Sequence, residues 1–111
     1  MRYKNLVRTA ISAALASPNR HHKMGASAIR GDGAVVSACN GRTFGTLIPK
    51  VHAEIKLINK LDSGAIVCVV RVLASGKLGI AKPCPNCMRA LQNRHVIRVL
   101  FSGYDGSIDW Y

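Results

Sequence analysis

From Ile66 to Leu73 the chain is β-favouring and apolar at every position except Arg71. A strand that offers apolar side chains in both directions has to be covered on both faces, and helices packed above and below a sheet are the usual cover. That requirement selects a layered α/β arrangement, and the rest of the chain has the pieces for one. Leu6/Val7, Ala10/Ile11 and Ala14/Leu15 recur at the spacing of one helical face until Ser17-Pro18 stops the pattern. Val51 to Leu61 reads as a second helix, with Ala53, Leu57, Ile58 and Leu61 apolar and Asp62-Ser63-Gly64 closing it. Pro85 to Arg94 reads as a third, with Pro85 at the favoured first position.

Gly25 to Ile29 and Ala34 to Ala38, joined across Arg30-Gly31-Asp32-Gly33, read as a β-hairpin. The polar, basic stretch Asn19 to Lys23 before it and Asn40 to Lys50 after it read as loops, and Ser75 to Gly79 as a turn away from the long strand. Val96 to Phe101 is another apolar strand, and the tail from Ser102 to Tyr111 has room for one brief fifth strand. The order α-β-β-α-β-α-β predicts a three-layer α/β/α fold: a mixed sheet of four to five strands with an N-terminal hairpin and helices on both faces. A chain of 111 residues is expected to be one domain, residues 1–111, and 49% hydrophobic against 19% charged residues argues against disorder. No run of about 18 uncharged apolar residues occurs, so no membrane span is expected. Ala-rich sequence after Arg2, Lys4 and Arg8 superficially suggests a leader, but Thr9 and Ser12 interrupt it and a first helix is the better reading.

Sixteen Lys and Arg against five acids give a formal charge of +11. Such a surface concentrates anions, so a nucleic acid or a phosphorylated metabolite is the expected kind of partner, although charge by itself cannot choose between them. Asp32, Asp62 and Asp105 sit beside glycines in turn-like contexts, whereas Glu54 is the only glutamate. Cys39 and Cys68 lie in strand-like stretches and Cys84 and Cys87 form a C-x-x-C pair, a pattern suited to a reduced cytoplasm rather than to two disulfides.

The chemistry gathers at two helix starts. His52-Ala53-Glu54 opens the second predicted helix, and Pro83-Cys84-Pro85-Asn86-Cys87 opens the third. Imidazole and thiolates are good zinc ligands, and three protein ligands leave a fourth position for water, as catalytic zinc sites do. Cys84 and Cys87 share one side of a helix, while Glu54, two positions beyond His52, is poorly spaced to join His52 as a ligand and better suited to reach the water.

H-x-E followed 32 positions later by P-C-x-x-C is the signature of zinc nucleobase deaminases. Over roughly Leu6 to Phe101 the chain resembles the cytidine and deoxycytidylate deaminase superfamily, as a minimal single-domain member. The resemblance implies one Zn²⁺ per chain, held by His52, Cys84 and Cys87, which activates a water for attack on C4 of a cytosine-type ring. It implies that Glu54 shuttles the proton, that Asn40 of Asn40-Gly41 meets the sugar or base, and that the Ala53 N–H binds the ring carbonyl. It also implies a cytoplasmic homo-oligomer, a dimer or larger. Departures from the family pattern are Lys82, where many relatives carry an acid, and the stretch Gly76 to Ala81. A histidine as first ligand moves the likeness toward deaminases of nucleotides, tRNA or DNA.

The expected reaction is hydrolytic deamination of a cytosine-containing nucleoside or nucleotide to the uracil form and ammonia. The alternatives are deamination of cytosine or adenine within single-stranded DNA or RNA, and a non-catalytic zinc-bound nucleic-acid module, which has no need of a lone glutamate at position 54. The basic loop Arg20 to Lys23, near the expected mouth of the site, suits either a 5′-phosphate or a strand backbone. A dithiol redox site at Cys84 and Cys87, or a structural zinc completed by Cys39 or Cys68, are the plainer readings.

Overall fold

The computed structural model describes residues 3–18, 23–40, 57–58, 60–81, 85–103 and 108–110. Helix α1 (Lys4–Leu15) leads into strands β1 (Lys23–Ile29) and β2 (Val35–Cys39). After the helical turn Leu57–Ile58 come β3 (Ile66–Val72), β4 (Leu78–Gly79), helix α2 (Pro85–Asn93), β5 (Arg98–Ser102) and β6 (Ile108–Trp110). The sheet order is β2-β1-β3-β5-β6, with β4 pairing β3 off this path. Only β3 and β5 run parallel, so the sheet is mixed, as expected.

Alternation along the strands divides the core into two layers. Val67 and Val69 join Ala26, Ala28, Val99, Leu57, Leu61 and Leu91 on one face. Cys68, Val70, Val72 and Leu100 meet Leu6, Ala10 and Ala14 of α1 on the other. The long apolar run is therefore the centre of a three-layer structure, with α1 on one side and α2 and the Leu57–Leu61 segment on the other. The approach of α1 is close: a Cβ added at Gly25 would land on the Ala10 carbonyl oxygen and the Ala14 backbone nitrogen. Glycine is needed there for space rather than for a special backbone angle.

Two expectations are corrected. Leu78–Gly79 does not turn away but forms β4, pairing with Arg71 and Val72 where β5 has ended. The Ser102 hydroxyl donates to the Gly79 carbonyl (2.6 Å) and accepts from the Arg71 N–H (3.3 Å), tying the three strands together. Lys23 and Met24, read as loop and its edge, are the first two residues of β1, paired with Val72 and Arg71. The brief fifth strand expected in the tail is β6.

Helix α2 ends in a Schellman-type cap, in which the His95 N–H bonds the Gln92 carbonyl (3.0 Å) and the Val96 N–H bonds that of Leu91 (3.3 Å). His95 takes the left-handed conformation usually given to glycine there, φ +58°. At the same end of the sheet the Asp62 carboxylate accepts from the Gly31 N–H (2.7 Å) and the Asp32 N–H (3.3 Å) of the hairpin turn. The Gly31 bond, with that of Asp32 and the Arg30 charge, holds the Asp62 carboxyl below its ordinary pKa of 3.8, against the opposing pull of burial. No helix among the described residues is long and apolar enough to cross a membrane.

Candidate active site

In a sheet of this kind ligands bind outside the carboxyl ends of the parallel strands, where helices begin. Here β3 and β5 both end toward the edge at which β1 starts and β2 finishes, since Lys23 pairs with Val72 and Gly25 with Cys39. The chain returns to that edge before α2: the Ala81 N–H bonds the Ser102 carbonyl (2.9 Å), and α2 starts four residues later. It then runs back to the other edge, where the Ile97 N–H bonds the Ala65 carbonyl (2.8 Å). The start of α2, with Cys87 in its first turn, thus stands at the carboxyl edge.

Cys87 is buried and lies one helical turn before the fully buried Leu91, on the side of α2 that faces the sheet. It is the thiolate form of a cysteine that binds metal. Asn40 is buried at the end of β2. Its backbone N–H continues the ladder to the Met24 carbonyl (3.1 Å). Its side-chain Oδ1 accepts from the Ser17 hydroxyl (2.6 Å) and the Met24 N–H (3.0 Å), and the Asn40 carbonyl also lies 3.0 Å from that hydroxyl. Two donors on one oxygen fix which way round the carboxamide sits, with its NH₂ as the donor end. Lys23 completes this corner, its Nζ donating to the Ser17 carbonyl (2.8 Å).

The structure brings Asn40 and Cys87 to one edge of the sheet. His52, Ala53, Glu54 and Cys84 lie outside the described residues, and among the described residues no three metal-binding side chains cluster. Ser17 is the member of the corner that sequence reasoning missed, since it reads there only as a helix stop; Lys23 belongs to the basic loop Arg20 to Lys23 already expected near the mouth of the site. A serine directly after an apolar helical face is the signal, weak by itself, that its hydroxyl has a buried partner.

The other cysteines are placed so as to exclude them from a joint site with Cys87. Cys68 points toward α1, and Cys39 shares that side because it pairs directly with Gly25, whose missing side chain faces α1. The sheet stands between them and α2. Burial also pushes the Cys68 thiol up to about 12, the behaviour of a core residue. Zinc fits what is described of the donor set: one inward thiol at a helix start, with Cys39 and Cys68, the other cysteines among the described residues, on the opposite side of the sheet.

The sequence matches the family model of the cytidine and deoxycytidylate deaminase zinc-binding region over residues 1–103. The chain belongs to this family. No match was found among curated protein sequences. Among solved structures, a cytidine deaminase from Burkholderia pseudomallei superposes with a TM-score of 0.79 at 20% identity, covering 100% of this chain and 92% of that one. A cytidine deaminase from Mycobacterium tuberculosis gives 0.67 at 21%, covering 92% and 85%. A dCMP deaminase from the cyanophage S-TIM5 gives 0.66 at 19%, covering 93% and 83%. At these identities the likeness is one of fold, and it agrees with the three-layer arrangement expected from the sequence.

Proposed function

We propose that this member of the deaminase family catalyses hydrolytic deamination of a cytosine-type base, giving the uracil form and ammonia, within one domain over residues 1–111. The observation that carries the reading is Cys87, buried in the first turn of α2 at the carboxyl edge of the parallel pair. Around it the motif supplies His52 and Cys84 as fellow zinc ligands. When bound there, zinc supplies the Lewis acidity that makes water nucleophilic at neutral pH.

The chain's own residues do the rest. Glu54 takes the first proton of the attacking water and delivers it to ring N3, then carries the proton of the new C4 hydroxyl to the amine, so that the C4–N bond breaks and ammonia leaves. The Ala53 N–H donates to the ring carbonyl. Asn40, held by Ser17 and Met24, directs its NH₂ at the sugar. A carboxamide fixed in this way spends no rotamer freedom when the substrate arrives, which is the advantage of preorganisation.

The test is ammonia release by zinc-loaded protein from cytidine, deoxycytidine, CMP, dCMP and cytosine-containing oligonucleotides. The reading expects turnover of at least one, with zinc near one per chain. Absence of turnover across the panel by protein of that zinc content overturns it.

A further inference from the structure

The stretch Gly76 to Ala81, where the chain departs from the family pattern, is the path by which it leaves β3 and reaches the ligand motif. The turn that opens it, Leu73 to Lys77, is exposed, and β4 contributes two ladder pairs, too few to hold a strand by themselves. What anchors the path is Ser102, the last residue of β5, fully buried where β4 takes over from β5 beside β3. Its hydroxyl donates to the Gly79 carbonyl (2.6 Å) and accepts from the Arg71 N–H (3.3 Å). Its own carbonyl accepts from the Ala81 N–H (2.9 Å). One residue thus grips the path at Gly79 and again at Ala81, both of them buried.

Cys87 is placed by α2, whose Leu91 packs against the sheet, but Cys84 precedes that helix and follows Ala81 by three positions. Three residues span at most about 10 Å, so fixing Ala81 confines where Cys84 can be. Resting on the deaminase reading, we propose that Ser102 is a positioning residue of the zinc site, holding the approach to Cys84 in place before metal arrives. Zinc then binds without having to order that stretch of chain, and a preorganised ligand set binds more tightly. Residues that support a ligand set from outside it typically carry about 10–100-fold in metal affinity.

Ser27 is the matched control. It is equally buried, and its hydroxyl also donates over 2.6 Å to a main-chain carbonyl, but that carbonyl is Leu6 of α1. Ser102→Ala and Ser27→Ala each leave a buried carbonyl without its donor, so both should lower Tm. The zinc dissociation constant, measured by competition with a chromophoric chelator, separates them. It should rise by about 10–100-fold in Ser102→Ala and stay close to parent in Ser27→Ala. A second measurement needs no variant: in the parent, the Ala81 N–H should already be protected from hydrogen exchange in the zinc-free protein. Equal zinc affinity of Ser102→Ala and parent overturns the proposal, as does an equal loss in Ser27→Ala, which a purely structural Ser102 gives. So does an Ala81 N–H that exchanges freely until zinc is added. A parent that takes up no zinc is a separate failure, which overturns the deaminase reading and the proposal with it.

Discussion

Gly25→Ala tests how closely α1 is seated on the sheet. The added Cβ would meet the Ala10 carbonyl oxygen and the Ala14 backbone nitrogen, and would come within 2.9 Å of the Ala14 Cα. Carbon atoms rest at about 3.5–4.0 Å, so the helix has to withdraw by about 1 Å. Backbone atoms cannot rotate aside as a side chain does, and Ala10 and Ala14, both fully buried, lose contact with the strands as the helix leaves. Overpacking of a core commonly costs about 1–3 kcal/mol, and the upper part of that range applies when backbone opposes the new atom. Alanine recovers about 0.4–1 kcal/mol by restricting the unfolded chain, which leaves a net loss of about 2 kcal/mol. At about 4 °C per kcal/mol for a chain of this size, Tm should fall by about 8 °C. Gly79→Ala is the internal control. Its Cβ would come within 2.7 Å of Leu73, but of a side-chain carbon at the tip of a residue 38% exposed, which can swing away. Thermal unfolding followed by circular dichroism should show Gly25→Ala well below parent and Gly79→Ala close to it. Equal Tm values for Gly25→Ala and parent, or the reverse order of the two variants, would refute the packing argument.

Three further outcomes are expected. His95→Gly should raise stability by about 1 kcal/mol, because a left-handed residue other than glycine carries about 1–2 kcal/mol of steric strain and glycine's greater unfolded freedom offsets part of the relief; a lower urea midpoint contradicts it. Asp62, whose folded pKa lies below 3.8, adds stability that is present above that value and lost as pH falls through the folded pKa. The urea midpoint of Asp62→Asn should therefore lie below that of parent at pH 6, with the gap narrowing below pH ~3.8; a gap that widens there contradicts it. Cys68, with its thiol at about 12, should resist alkylation in the native protein at pH ~8 and react once urea unfolds it; rapid native labelling, read by peptide mass, contradicts it.

The layered fold was legible because one strand is apolar in both directions and the helical patterns around it are amphipathic, features that periodicity reads directly. β4 was not, since two residues cannot show a period; its strand character comes from pairing with β3 beyond the end of β5, with Ser102 as the clasp. The motif residues stand out in the sequence as a set because zinc chemistry restricts ligand type and spacing so tightly, and of them Cys87 lies among the described residues. Asn40 was singled out by resemblance, but what orients it was not, because Ser17 and Asn40 are 23 positions apart and meet only when α1 packs on the hairpin. Lys23 belonged by composition to a basic loop, and only its pairing with Val72 made it the first residue of β1.

The central claim is that Glu54 moves the proton at a zinc site formed by His52, Cys84 and Cys87. Glu54→Gln keeps the shape and hydrogen-bonding capacity of the side chain but can neither accept nor return a proton. The decisive measurement is ammonia release from the best substrate by parent and Glu54→Gln at matched zinc content. The account predicts unchanged zinc and Tm with a rate lower by ~10²–10⁴-fold. A Glu54→Gln protein that retains its zinc and works at a rate close to parent would contradict it.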